Sequence, residues 1–209
     1  MLILINYLDI LILGYDMTIK DNINSSIEVI CGPMFSGKTE ELIRRLVRGQ
    51  IAKKNVFIFK HSTDNRYSED YIVSHNKNKI KCYSITDAKQ IVEFSKNIDI
   101  IGIDEAQFFD TSIIEVCNKL ANEGKRIIIA VLDRDYKAIP FGPIANLLAH
   151  ADYITKLSAI CMACGNQATY SQRLTNEDNQ ILVGESEKYE PRCEKCYYNK
   201  KGYPLNQIY

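Results

Sequence analysis

The stretch Ile27-Glu28-Val29-Ile30-Cys31-Gly32-Pro33-Met34-Phe35-Ser36-Gly37-Lys38-Thr39 decides the fold. Its first five residues read as a buried strand. Its last eight fit G-x-x-x-x-G-K-[ST], the glycine loop whose backbone N–H groups cradle the phosphates of a nucleoside triphosphate. Beyond it, Leu42, Ile43, Leu46, Val47 and Ile51 recur at helical spacing. Strand, loop and helix N-terminus together aim free N–H groups and the positive end of the helix dipole at one anion. Gly32, Pro33, Met34, Phe35, Ser36 and Gly37 are thus candidate cradle residues for ATP or GTP. Lys38 is expected to reach the β- and γ-phosphates and the Thr39 hydroxyl to ligate Mg²⁺.

Working outward, the chain alternates strand and helix patterns, as in an α/β fold with a mainly parallel sheet and flanking helices. Asn55 to Lys60 (NVFIFK) reads as a second strand, followed by a polar stretch from His61 to Lys79 that is too long for a tight connection and is expected to be a functional or mobile loop. Ile98 to Ile103 and Arg126 to Leu132 are continuous apolar runs, as expected of strands covered on both faces. Between them Ile113, Ile114, Val116, Cys117, Leu120 and Ala121 fit a crossover helix ending at Gly124.

Asp104-Glu105 follows the third of these strands, where a P-loop protein places the acid that holds Mg²⁺, often through water. Position assigns Asp104 to the metal. A second carboxylate at Glu105 suits either activation of water or acceptance of the proton of an acceptor hydroxyl.

Cys161-Met162-Ala163-Cys164 and Cys193-Glu194-Lys195-Cys196 form two C-x-x-C knuckles. Four thiolates at this spacing make the tetrahedral S₄ set that Zn²⁺ favours, and with no His or fifth ligand conspicuous nearby the site reads as closed and structural. The predicted role of the ion is to pin the two ends of the insertion between the knuckles. Cys31, Cys82 and Cys117 fall in or near core segments and read as small hydrophobes.

The chain has 209 residues, 26 basic and 26 acidic, for a formal net charge of zero. That length permits one or two domains, and the charge balance argues against a nucleic-acid backbone or an anionic membrane as partner. Hydrophobic residues at 46% suffice for a buried core. Met1 to Gly14 is apolar but contains Asn6 and Asp9, has no basic flank and is too short to span a bilayer, so residues 1–25 are expected to lie outside the core, with Met17 an alternative start. The expected division is an extension over 1–25, a P-loop α/β domain over 26–157, a zinc-binding domain over 158–201 and a tail over 202–209.

Taken in order, GPMFSGKT, DNRYS (Asp64 to Ser68), DEAQFF (Asp104 to Phe109), PFG (Pro140 to Gly142), TKL with CMAC (Thr155 to Cys164) and EKYEPRCEKC (Glu187 to Cys196) resemble the type II thymidine kinases. These are compact cytosolic enzymes with a P-loop domain and a zinc-bearing lasso domain. The resemblance spans roughly Ile27 to Lys200. It implies transfer of the γ-phosphoryl group of ATP to the 5′-hydroxyl of thymidine, with deoxyuridine also plausible as acceptor, Glu105 as general base, and ATP, Mg²⁺ and a structural Zn²⁺ as cofactors. It places Asp64, Arg66 and Gln107 near the phosphates or the sugar, and Phe108 against the nucleoside. It gives the lasso, at Gln180, Ile181, Leu182, Val183, Gly184 and Tyr189, the reading of the thymine edge. Met34, Leu132, Tyr136 and Phe141 match the family's apolar wall, and Ser171 a small residue facing the thymine methyl. It further implies a cytoplasmic homotetramer inhibited by thymidine triphosphate.

One departure is that charged Arg134 and Asp135 stand between the wall residues Leu132 and Tyr136, leaving the pocket shape there open. The competing reading is a P-loop ATPase with a zinc ribbon acting on nucleic acid, disfavoured by the neutral charge. A catalytically dead zinc module is disfavoured by Glu105 beside an intact GKT loop.

Overall fold

The computed structural model describes residues 25–63, 71–73, 79–176, 179–180 and 187–200, with the backbone alone for 71–73, 79 and 200. Its large part is a sheet of seven strands among the described residues: β1 (Ser26–Gly32), β2 (Val56–His61), β3 (Tyr71–Val73), β4 (Lys79–Ile85), β5 (Ile100–Asp104), β6 (Arg126–Leu132) and β7 (Tyr153–Lys156), in the order β3-β4-β2-β5-β6-β1-β7. All neighbours pair parallel except β3, which runs antiparallel to β4. The expected loop from His61 to Lys79 therefore contains a strand. Its three residues, Tyr71-Ile72-Val73, are a β-branched and aromatic run too short to stand out among polar neighbours.

The alternation of strand side chains explains why both faces are apolar. On one face Val29, Cys31, Ile101, Ile103, Ile127, Ile129 and Val131 pack against Ile91 of α2 (Lys89–Phe94), Ile113, Val116, Cys117 and Leu120 of α3 (Ser112–Asn122), and Ile144 and Leu147 of α4 (Ile144–His150). On the other, Ile30, Ile58, Ile100, Ile128 and Ala130 pack against Leu42 and Leu46 of α1 (Lys38–Ile51). A register slip of one residue would exchange these two sets, so the helices fix the register. Cys31, Cys82 and Cys117 are buried in these layers, as their surroundings in the sequence implied.

At the base of β1, Glu28 is enclosed by Arg45, 2.8 Å away, and Arg126, 2.5 Å away. Burial opposes its ionisation, yet the two guanidinium groups outweigh that and hold its pKa below the ordinary carboxylate value.

Because the strands run parallel, the ends of β1, β2, β5, β6 and β7 that carry Gly32, His61, Asp104, Leu132 and Lys156 line one edge of the sheet. Ligands of such sheets bind at this edge. The smaller lobe consists of two antiparallel pairs, β8 (Ala159–Ile160) with β9 (Gln167–Ala168) and β10 (Tyr170–Arg173) with β11 (Tyr189–Arg192), followed by α5 (Glu194–Lys200). Among the described residues, the apolar cluster at the knuckles is small: Ala159, Cys161 and Ala168, with Cys193 and Cys196 against them. A core this small needs a staple. No described helix is long and apolar enough to cross a membrane.

Candidate active site

The glycine loop joins β1 to α1, with Gly37 in the left-handed region at φ 81°. Gly32 is required by a close approach, since a Cβ there would stand 2.5 Å from the carbonyl oxygen of Leu157. Lys38, buried, donates from Nζ to the carbonyl of Pro33 at 2.6 Å, and Ser36 donates to the same oxygen at 2.8 Å. The lysine is therefore folded back onto the loop that precedes it. Thr39 donates to Asp104 at 3.0 Å, so the hydroxyl and the carboxylate expected to share Mg²⁺ already meet. Lys60, 2% exposed, is the register neighbour of Asp104 on β2 and brings a second cation to this corner.

Glu105 follows with φ 52°, a left-handed conformation that costs a side chain with a Cβ of order 1–3 kcal/mol and persists only where the surroundings enforce it. Two contacts supply that enforcement. Gln107 Nε2 donates to Glu105 Oε2, while Gln107 Oε1 accepts the Leu132 N–H at 3.1 Å, so one buried amide ties the carboxylate to the end of β6. Gly142, at φ 53°, lies against the same turn, where a Cβ would approach the Gln107 carbonyl oxygen to 3.0 Å. Phe108 packs edge-on against Phe141 at 6.0 Å between ring centroids, and the His61 ring lies 6.2 Å from it. DEAQFF and PFG, distant in sequence, are thus one unit.

The turn after β6 joins this unit to the small lobe. Asp133 pairs with Lys156 at 2.7 Å. Arg134 donates to the Thr169 carbonyl at 2.7 Å and lies 4.1 Å from the Tyr170 ring. Asp135, 5% exposed, accepts the N–H groups of Lys137 and Ile139 and the amide of Gln180. The charges between Leu132 and Tyr136 are therefore turn and clamp residues. Tyr136 lies half-buried beneath Arg173, whose guanidinium carbon is 3.5 Å from the ring centroid. Ser171 accepts the Met34 N–H at 3.0 Å, joining β10 directly to the glycine loop. Tyr189 is buried, its hydroxyl accepting from Arg173 at 2.6 Å.

The four knuckle sulfurs lie within 4.8 Å of one another, and Cys164 and Cys193 are 3.6 Å apart. Tetrahedral zinc with bonds of about 2.3 Å sets sulfurs ~3.8 Å apart, so the donor set fits the ion. Burial works against ionising Cys161, but the backbone N–H groups of Cys193, Ala163 and Cys164 prevail and hold its thiol at about 6; hydrogen bonding with Cys164 and Cys193 pushes Cys196 up to about 12. Closed by this set, the cluster joins the β8–β9 end of the lobe to α5.

A family model described as "Thymidine kinase" matches residues 25–197, which takes in both the glycine loop and the knuckles. The chain belongs to the thymidine kinase family. Curated relatives named thymidine kinase include one from Bacteroides fragilis, 54% identical over 171 residues (82% of this chain, 86% of the relative). Another, from Rhodothermus sp., is 52% identical over 171 residues, covering 82% of this chain and 80% of the relative. A third, from Bacteroides thetaiotaomicron, is 52% identical over 176 residues, 84% of this chain and 88% of the relative. As in a kinase of this family, ATP is the donor to be accommodated, and the cysteine cluster is consistent with zinc.

Of the thymidine kinase residues expected from the sequence, Gly32 to Thr39, Asp104, Glu105, Gln107, Phe108, Leu132, Phe141 and Ser171 are linked by the chain of contacts just described. Tyr136, Tyr189 and Gln180 belong to the clamp around Arg173 and Asp135. Asp64, Arg66, Ile181, Leu182, Val183 and Gly184 lie outside the described residues. Lys60, Asp135, Lys156 and Arg173 were not foreseen as site residues. Signals existed for two of them: Lys60 ends an otherwise apolar strand, and Arg173 shares the strand face of Ser171 by period-two alternation.

Proposed function

We propose that this chain transfers the γ-phosphoryl group of ATP to the 5′-hydroxyl of thymidine, with Glu105 as the base that accepts the hydroxyl proton. The observation that carries this reading is Glu105 itself. It is a buried carboxylate at the edge of the glycine loop, next to Asp104, held in a left-handed backbone conformation and gripped by Gln107. A base must stand within hydrogen-bond reach of the proton it takes, and a carboxylate fixed in this way is suited to the task.

The rest of the site divides the work. The N–H groups of the glycine loop, the Gly37 turn and Lys38 hold the β- and γ-phosphates; Thr39 and Asp104 would hold Mg²⁺, which when bound neutralises the charge developing on the transferred group. Phe108, Phe141, Leu132, Tyr136 and Met34 enclose the nucleoside, Ser171 faces the methyl of thymine, and Tyr189 with the stretch from Gln180 to Gly184 reads the base. Asp64 and Arg66 are assigned to the phosphates or the sugar. Zn²⁺ on Cys161, Cys164, Cys193 and Cys196 keeps the small lobe folded and takes no part in the chemistry. A cytoplasmic homotetramer, action on deoxyuridine and inhibition by thymidine triphosphate belong to the same proposal.

The test is a panel of thymidine, deoxyuridine, deoxycytidine and deoxyguanosine with ATP and Mg²⁺, reading which 5′-monophosphate forms. Thymidine monophosphate should dominate. ATP turnover that rises with DNA and ignores thymidine would refute the reading in favour of a nucleic-acid-dependent ATPase.

A further inference from the structure

Asp135 and Arg173 both hold one short segment. Asp135 belongs to the turn after β6, in the large part of the molecule, and Arg173 ends β10 in the small lobe. The segment is Asn179 and Gln180. Arg173 donates from one terminal nitrogen to the Asn179 carbonyl and from the other to the Gln180 carbonyl at 3.1 Å. Asp135 accepts from the Gln180 side chain at 3.0 Å. Both grips are themselves held. The Asp135 carboxylate takes the N–H groups of Lys137 at 2.8 Å and Ile139 at 3.1 Å, which fixes it at the neck of its own turn. The Arg173 guanidinium, 4% exposed, lies flat on Tyr136 and donates to the Tyr189 hydroxyl. Tyr136 is anchored in turn, because its carbonyl accepts the Tyr197 hydroxyl at 2.7 Å from α5, the helix that carries Cys196 of the second knuckle.

A planar guanidinium can do this and an ammonium cannot, since the fork delivers parallel hydrogen bonds to two carbonyls while its face stacks on a ring. The residues so fixed, Gln180, Tyr136 and Tyr189, are those assigned to the nucleoside under the proposed function, on which this inference rests. We infer that Asp135 and Arg173 are positioning residues for nucleoside selectivity, acting through Gln180, Tyr136 and Tyr189 without touching the base. Sites that read a polar edge lose discrimination when their own polar groups are misplaced, because the correct partner is then left unpaired. Loosening this clamp should therefore weaken thymidine and narrow its advantage over deoxycytidine, while ATP, held by the glycine loop, is little affected.

The Asp135–Gln180 contact allows a reversal. Gln180→Glu sets a second carboxylate against Asp135, and adding Asp135→Asn restores a donor and an acceptor with the roles exchanged. Gln180→Glu should raise the thymidine KM by about 10- to 150-fold, the range expected when a hydrogen bond to a charged group is lost, with a much smaller change in kcat and in the KM for ATP. The double variant should recover most of that loss. Arg173→Lys, which keeps the charge and loses the fork, should raise the thymidine KM and lower the thymidine-to-deoxycytidine ratio. Hydrogen exchange of a peptide covering residues 170–180, measured without nucleoside, should rise in Gln180→Glu and in Arg173→Lys and return toward wild type in the double variant. Faster exchange in a protein that phosphorylates no thymidine would uphold the clamp and refute the thymidine assignment. Thymidine phosphorylation with unchanged exchange and KM in Gln180→Glu, or no recovery in the double variant, would refute the clamp.

Discussion

Replacing Gln107 by Leu tests how the proposed catalytic base is held. The amide of Gln107 is buried at 3% exposure and makes two bonds, one to the Glu105 carboxylate and one from the Leu132 N–H. Leu fills a similar space and can make neither. A hydrogen bond to a charged group contributes about 1.5–3 kcal/mol. If that energy serves to orient Glu105 in the transition state, then at 1.36 kcal/mol per decade of rate kcat should fall by about 10- to 150-fold. The orphaned Leu132 N–H adds a stability cost of about 1–3 kcal/mol. For a domain of this size that is roughly 2–12 °C in Tm. The assay pairs steady-state phosphorylation of thymidine, at saturating ATP, with thermal unfolding monitored by calorimetry. A variant with lowered Tm and kcat within threefold of wild type would refute the argument, reducing Gln107 to a brace for the turn and removing the reason offered for the conformation of Glu105.

Three further outcomes follow from the same structure. Lys38→Ala should abolish phosphoryl transfer while circular dichroism stays that of the wild type, because Lys38 stands over the loop with its ammonium on the Pro33 carbonyl; residual turnover near wild type would remove the lysine from the phosphate site. Cys193→Ser should strip about one Zn²⁺ per chain, seen by metal analysis, and raise the thymidine KM far more than that for ATP, since the apolar cluster described at the knuckles is too small to hold them together by itself; a metal-free variant with normal thymidine KM would contradict this. Glu28→Gln should lower stability at pH 7, and Tm with it, by about 1.5–3 kcal/mol, the range for lost hydrogen bonds to a charged group, as it leaves Arg45 and Arg126 without their shared carboxylate. Because the folded pKa of Glu28 is depressed, its contribution is complete above the ordinary value of 4.5 and disappears as pH falls through the lowered one. The gap between wild type and variant should therefore close below about pH 4.5, and a gap that persists in acid would rule out the charge as its source.

The centre of the large α/β part was readable because its signals are local, while β4, β7, α2 and α4, short or mixed in composition, were not. IEVIC before a glycine loop, continuous apolar runs at IDIIGI and RIIIAVL, and a helix ending at Gly124 each follow from a short window of residues. The knuckles were readable for a similar reason, since C-x-x-C fixes its own geometry. The small strand β3 was missed because three apolar residues in a polar stretch carry no period that marks a strand. The roles of Asp133, Arg134 and Asp135 were missed for a different cause. Charged residues between wall positions look like a disturbance to a pocket until their partners, Lys156, Thr169 and Gln180, are brought beside them by chain crossings of twenty residues or more. Lys60 and Arg173 carried weak signals in their own strands, but their roles rest on neighbours elsewhere in the chain, Asp104 for the first and Tyr136, Gln180 and Tyr189 for the second. Local chemistry names the groups that react, and long-range pairing decides which groups hold them still.

The end of β6 has a consequence for how such an enzyme can change. Leu132 holds Gln107 and, through it, Glu105; Asp133 holds the end of β7; Arg134 and Asp135 hold the small lobe. Four consecutive residues thus serve the chemistry, the sheet and recognition at once, and an insertion or deletion among them would be felt in all three. Divergence in acceptor choice should therefore gather on the far side of this junction, between Gln172 and Lys188, where the described contacts of Arg173 and Gln180 run to Asp135, Asn179 and Tyr189 and not to Glu105 or Gln107. In a library built to redirect the acceptor, variation placed there should yield active proteins, while the same diversity placed at Leu132 to Asp135 should yield mostly inert ones.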